Sequence, residues 1–294
     1  MTKILLIGAN GQVGRELQQT LLPLGEVIAV ARDQLDLANP EAAYALVVET
    51  APNVIVNAAA YTAVDKAESE PDLAMAVNGT TPEMMAKAAS SIGAGLIHIS
   101  TDYVFDGTQG VAYQETGSTN PKGVYGRTKL AGEEAIQAAL PMHMIIRTAW
   151  VYGALGKANF VKTMLRLGAD RSELRVVGDQ IGSPTWAKDL ALAIAQMIPK
   201  FTPETAGLYH YTNSGVASWY DFAVAIFEEA EALGFPLKIE QVVPITTAEY
   251  PTPAQRPAFS VLSLKKTASL LGHCPPHWRA SLRKMLVELQ TGEG

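Results

Sequence analysis

Short apolar runs alternate with stretches of helical periodicity through the first half of the chain. Ile4–Ile7, Val27–Ala31, Val54–Asn57, Leu96–Ser100 and Met144–Arg147 are too short for buried helices and are mostly rich in β-branched residues. Each predicts a strand buried on both faces. Helical stretches lie between them, from Gln12 to about Leu22, from Pro40 to about Thr50, and from Val124 to about Ala139. Asn39-Pro40 offers an N-cap and a proline at the first helical position, and Thr80-Thr81-Pro82-Glu83 predicts a cap for a helix stopping near Gly93. Strand and helix alternating at this spacing predict an α/β fold, a Rossmann-type doubly wound parallel sheet. Later, Ser218-Trp219-Tyr220-Asp221 reads as a capping box, and a last helix covers roughly Arg279–Leu289. Nine of the 17 prolines follow residue 198, so the last third is loop-rich. The expected organisation is a dinucleotide-binding domain over 1–153, with a returning segment near 183–200. A smaller substrate-binding lobe, mainly 154–294, would then cover the sheet's carboxyl edge.

Composition narrows the function classes. Apolar residues at 48% and charged residues at 18% of 294 carry a sizeable core and exclude global disorder. The net charge of −6 argues against a nucleic-acid or polybasic membrane-surface protein. That surplus sits in residues 1–150, which hold 9 basic and 16 acidic side chains. The single cysteine, Cys274, rules out an intramolecular disulfide and a multi-cysteine zinc site. No apolar run reaches the ~18 residues of a bilayer span, and Ile4–Ile7 is too short for a signal-peptide core, so a soluble, cytoplasmic protein is expected.

Gly8-Ala9-Asn10-Gly11-Gln12-Val13-Gly14 follows the first strand and opens the first helix. Glycines at this spacing permit a tight turn and close approach of a pyrophosphate, and the helix start offers free N–H groups. A glycine-rich turn alone also fits a helix-capping loop. Its place between strand and helix favours a dinucleotide site. The second strand ends in Ala31-Arg32-Asp33. An arginine there meets the 2′-phosphate of NADPH, whereas an acid meets the ribose hydroxyl of NADH. Arg32 comes first, so NADPH is favoured and NADH stays open. Asp36 and Leu37 suit the adenine edge, and Ala58, Ala59 and Ala60 after the third strand let a cofactor lie against backbone.

Among ten tyrosines only Tyr125 has a lysine four residues on, Lys129. On a helix the two share a face. A lysine there lowers the phenol's pKa and can also hold a nicotinamide ribose, so that Tyr125 protonates a carbonyl as hydride arrives. Thr101, at the end of the fourth strand, can hydrogen-bond the same oxygen; alone it would read as a strand-end cap.

With these residues in place, the sequence resembles the dTDP-4-dehydrorhamnose reductase family of the extended short-chain dehydrogenase/reductases. Besides Gly11–Gly14, the resemblance rests on Val56–Glu68 (VNAAAYTAVDKAE), Ser100–Gly107 (STDYVFDG), Tyr125–Glu133 (YGRTKLAGE), Arg147–Gly153 (RTAWVYG), Gly178–Thr185 (GDQIGSPT) and Tyr250–Pro257 (YPTPAQRP). It runs from about residue 3 to about 286. It implies NADPH- or NADH-dependent reduction of a 4-keto sugar nucleotide, supplying rhamnose for polysaccharides. By position, Tyr125 is implied as proton donor, Lys129 as its partner and Thr101 as the carbonyl-orienting hydroxyl. Asp102 would touch sugar hydroxyls, Trp150 would pack on the deoxysugar, and Arg256 would meet the diphosphate. Trp150 also reads as a core aromatic, and Arg256 as half of a loop salt bridge.

The resemblance leaves a homodimer open and raises Mg²⁺ held by carboxylates at a dimer contact. Glu16 is one such carboxylate, but the second position holds Lys188, which repels a cation, so no metal is expected. The five histidines are scattered and read as packing or surface residues. Two alternatives stand beside the reductase: an epimerase or dehydratase of the same fold, and a non-catalytic regulatory subunit resembling that of methionine adenosyltransferase. The intact Thr101, Tyr125 and Lys129 set argues against the latter.

Overall fold

In a computed structural model describing residues 1–292, the elements run in the following order. They are β1 (Thr2–Ile7), α1 (Gln12–Thr20), β2 (Gly25–Val30), α2 (Pro40–Thr50), β3 (Val54–Asn57), α3 (Thr81–Ile92), β4 (Gly95–Thr101) and α4 (Val124–Ala139). Next come β5 (His143–Thr148), α5 (Phe160–Asp170), β6 (Glu173–Val177), α6 (Ala187–Met197), β7 (Gly207–His210), α7 (Trp219–Ala232), β8 (Gln241–Ile245), α8 (Lys265–Leu271) and α9 (Trp278–Thr291). The last two positions of the 154–294 range lie outside the described residues.

The main sheet has six strands in the order β7-β5-β4-β3-β1-β2, all parallel. Successive strand residues point to opposite faces, and both faces are covered. Ile4, Leu6, Val56, Ile97 and Ile146 pack with Leu17 and Leu21 near α1, with Leu190 and Ile194 of α6, and with Leu271 of α8. Leu5, Ile7, Ile55, Leu96 and Ile145 pack with Val47 of α2, Met85 and Ala89 of α3, and Ile136 of α4. Each such fully buried Leu or Ile contributes roughly 1.5–3 kcal/mol relative to exposure.

The chain leaves β1 for β2 on one side and returns to β3 on the other. That reversal opens a crevice beyond the carboxyl ends of β1 and β3, the place where α/β sheets take their ligands.

Two details depart from the sequence expectations. α6, inside the segment 183–200, packs on α1, but the sheet also recruits chain beyond it: β7 pairs with β5 as an edge strand. β7 reads Gly-Leu-Tyr-His, four residues with no apolar run, so periodicity does not reveal it. Thr80 does not cap α3. It has helical backbone angles and no side-chain cap bond, because a π-turn over Ala76–Thr80 carries the chain straight into the helix. With no free N-terminus there is nothing for Thr80 to cap. Ser218 does cap α7, in a reciprocal capping box with Asp221. A second core joins α5, α7 and α9 through Val161, Phe222, Ile226, Leu282 and Leu286, beside the parallel pair β6 and β8. Among the described residues, no helix is long and apolar enough to cross a membrane.

Candidate active site

One cleft of about 830 Å³ occupies the crevice. At its floor the glycine turn leaves β1. Gly8 has φ +87°, and a Cβ there would lie 2.7 Å from the Ala59 backbone nitrogen. At Gly14 a Cβ would meet the Gly8 carbonyl oxygen at 2.0 Å. Only glycine lets turn, helix and third strand approach this closely. Gly11 stands at the N-cap of α1 without a side-chain cap bond, and the first turn holds no acid. Its N–H groups and the positive helix end therefore suit a phosphate, so the cradle fits a dinucleotide.

Gly8, Asn10, Gly11, Gln12, Val13, Arg32, Asp36, Leu37, Ala58, Ala59 and Ala60 all line the cleft. Gly14 does not; it is buried behind the turn. Arg32 is exposed at the tip of β2, while Ala58 is held against β1 by its N–H donating to Ile7 O at 2.9 Å.

Thr101 and Asp102 at the end of β4, and Tyr125 and Lys129 on α4, line the same cleft. The lysine does not tune the phenol as the i, i+4 spacing suggests. Burial pushes Tyr125 up to about 12, hydrogen bonding with Thr101 draws it back, and the Asp102 charge raises it further. Lys129 turns toward the sheet. Its Nζ donates to Ile99 O at 2.7 Å and lies 3.0 Å from His98 Nε2, and burial pulls it down to about 8. Low-dielectric surroundings disfavour the charged form of each group, which outweighs their shared helix face. His98 is buried, held well below its usual range by burial, and its Nδ1 lies 3.1 Å from Asn57 Nδ2. Thr101 Oγ1 donates to Asp102 Oδ1 at 3.1 Å and accepts from Tyr103 N at 3.2 Å. Burial raises Asp102 to about 6.

A buried ion pair fixes this corner. Arg147 of β5 clasps Glu133 of α4, with Nη2 2.6 Å and Nε 3.1 Å from Oε2, and the Ser100 hydroxyl donates to the same carboxylate. α4 is thereby held to β4 and β5 one turn beyond Lys129.

Trp150 lines the cleft with φ +48°, a left-handed conformation costly for an aromatic residue. Its indole stacks on Trp219 with centroids 3.6 Å apart, and lies over Gly182 where no Cβ would fit. Arg256 is outside the cleft lining. It forms a two-pronged pair with Asp65, Nη1 to Oδ1 at 3.1 Å and Nη2 to Oδ2 at 2.8 Å. Three neighbours escaped sequence reading. Tyr103 meets Tyr125 edge-on at 5.5 Å, His98 backs Lys129, and Lys157 faces the cleft from the loop before α5. The segment STDYVFDG contains Tyr103, but nothing in spacing marks His98 or Lys157.

The residues around Glu16 do not fit a divalent cation. Lys188 Nζ sits 3.3 Å from Glu288 Oε2, and an ammonium in that position repels a metal. Among the described residues, no group of three or more His, Cys, Asp or Glu could hold one. Glu16 is 1% exposed and its Oε1 has no partner among the described residues. Burial, and then Glu288, push it up to about 7, against the pull of Lys188. A folded-state pKa above the ordinary 4.5 favours the protonated fold. That stability is fully present below about pH 4.5 and is lost as pH rises through about 7. Glu16→Gln should flatten the fall of the thermal midpoint over that window, leaving the smaller slope of Asp102. An unchanged slope would refute the assignment.

Comparison with known proteins identifies the family. The family model for the RmlD substrate binding domain matches residues 1–291. dTDP-4-dehydrorhamnose reductase of Escherichia coli strain K12 is 48% identical over 294 residues, covering 98% of each chain. The solved dTDP-4-dehydrorhamnose reductase of Clostridium acetobutylicum is 43% identical with a TM-score of 0.89, covering 98% of this chain and 99% of that one. The Bacillus anthracis enzyme, solved in complex with NADP, is 38% identical with a TM-score of 0.90 over 98% of this chain and 99% of that one. A family match over residues 1–291, near-half identity over the chain and a closely similar fold lead to one conclusion: this chain belongs to the dTDP-4-dehydrorhamnose reductase family.

Proposed function

We propose that this protein is an NAD(P)H-dependent oxidoreductase that reduces the 4-keto group of dTDP-4-dehydro-β-L-rhamnose to give dTDP-L-rhamnose. The observation that carries the reading is the single cleft running from the glycine turn to Thr101 and Tyr125. Bound along it, NADPH or NADH supplies the hydride. Gly8, Asn10, Gly11, Gln12 and Val13 would receive the pyrophosphate, with Gly14 closing the turn behind them; Ala58 to Ala60 would flank it, and Asp36 and Leu37 would take the adenine edge.

At about 12 the Tyr125 phenol keeps its proton at neutral pH. It gives that proton to the developing alkoxide, a stronger base. The Thr101 hydroxyl turns from Asp102 to the same oxygen, so two donors meet the growing charge. Lys129 holds the nicotinamide ribose from its anchor on Ile99 O. Asp102 accepts from sugar hydroxyls, Trp150 covers the deoxysugar, and Arg256 leaves Asp65 for the diphosphate. A nucleotide-sugar substrate and a reduced dinucleotide point to the cytoplasm.

Purified protein should oxidise NADPH only when a 4-keto-6-deoxysugar nucleotide is added, read as loss of nicotinamide absorbance. Absence of oxidation with fresh substrate would overturn the reading. Arg32→Ala should weaken NADPH by about 10-fold or more, the loss of a charge-assisted contact, and leave NADH nearly unchanged. Equal losses would refute the 2′-phosphate role of Arg32.

A further inference from the structure

Away from the cleft, α1 packs on α6, and Glu288 and Lys188 lie close enough to Glu16 for both charges to act on it. Glu16 comes from α1, Lys188 from the first turn of α6 and Glu288 from near the end of α9. None of them lines the cleft. Glu16 and Glu288 are 1% and 8% exposed, so two carboxylates have left water beside one ammonium. Lys188 Nζ reaches Glu288 Oε2 at 3.3 Å and lies 5.5 Å over the Trp186 ring. The buried Glu16 Oε1 has no hydrogen-bond partner among the described residues. Burying carboxylates without a counter-charge is costly, and a divalent ion between two of them would be the usual remedy. Here the side chain of Lys188 already stands beside them.

We infer that Lys188 is a tethered counter-ion for the Glu16–Glu288 pair, joining α1, α6 and α9 and making the fold indifferent to Mg²⁺; removing its ammonium converts the pair into a divalent-cation site. Because α1 carries the glycine turn at its N-terminus, this clasp also anchors the helix beneath the phosphate cradle. The inference does not depend on the proposed reaction.

The test is the thermal midpoint of the full chain, read in EDTA, in millimolar MgCl₂ and in NaCl of matched ionic strength. The unmodified chain should give one midpoint in all three. Lys188→Glu, and more weakly Lys188→Gln, should melt lower in EDTA and gain roughly 3 °C or more with MgCl₂. Adding Glu16→Gln should erase that gain. If Lys188→Glu does not fold, Lys188→Gln still gives the reading. A rise of the unmodified chain with MgCl₂ beyond the salt control would overturn the inference. So would Lys188 variants as unresponsive as the unmodified chain.

Discussion

Replacing Tyr125 by Phe is expected to cut kcat about 10²–10⁴-fold while leaving the cofactor dissociation constant nearly unchanged. The substitution removes the hydroxyl proposed to give its proton to the alkoxide. The ring remains, and with it the edge contact to Tyr103 at 5.5 Å, so the cleft wall keeps its shape. A solvent water has no fixed position against the alkoxide and cannot restore the rate. Lys129→Met should behave differently, because Lys129 is anchored on the sheet rather than paired with the phenol. Its loss should raise the cofactor KM as well as lower kcat. Stopped-flow traces for chemistry, with fluorescence titration for cofactor binding, separate the two. A Tyr125→Phe variant turning over within tenfold of the unmodified protein would eliminate the phenol as donor and shift the role to Thr101.

The largest stability effect is expected at Glu133. Glu133→Gln should cost about 3–5 kcal/mol, read by chemical denaturation, because it strands the Arg147 guanidinium in a dry interior. Arg147 is 3% exposed and already has one buried nitrogen, Nη1, without a partner among the described residues. The amide of Gln leaves one acceptor oxygen where the Ser100 hydroxyl and the Arg147 guanidinium share two, and turns an N–H group toward the guanidinium. The double variant Glu133→Gln with Arg147→Met should recover much of the loss, since the penalty lies in the orphaned charge rather than in the missing bond. A single variant within about 1 kcal/mol of the unmodified protein would show that water reaches the pair. Because the pair holds α4 against β4 and β5, the damaged protein should also lose activity out of proportion to its unfolded fraction.

The glycine turn was legible because its constraint is local. A Cβ at Gly8 or Gly14 collides with backbone atoms, so the residue type alone reports the geometry. The strands of the sheet's interior were legible for a similar reason. Burial on both faces favours apolar runs: Ile4–Ile7 is unbroken, and Leu96–Ser100 is interrupted only by His98 before ending at Ser100. β7 lacked that signature because it is a four-residue edge strand, paired with β5 alone and covered by α8. The i, i+4 spacing of Tyr125 and Lys129 correctly put both on one cleft. It could not tell which way the ammonium would point.

By itself, then, the sequence determined the parallel α/β sheet, the phosphate turn and the convergence of Thr101, Asp102, Tyr125 and Lys129 on one cleft, each written in neighbouring residues or short periods. Only the tertiary structure decided the states of those side chains. His98 behind Lys129, Asp65 across from Arg256, Glu133 under Ser100 and Lys188 beside Glu288 are separated in the chain by 31, 191, 33 and 100 residues. Charge, protonation and hydrogen bonding depend on distance through space and on exclusion of water, and neither is fixed until the chain has folded.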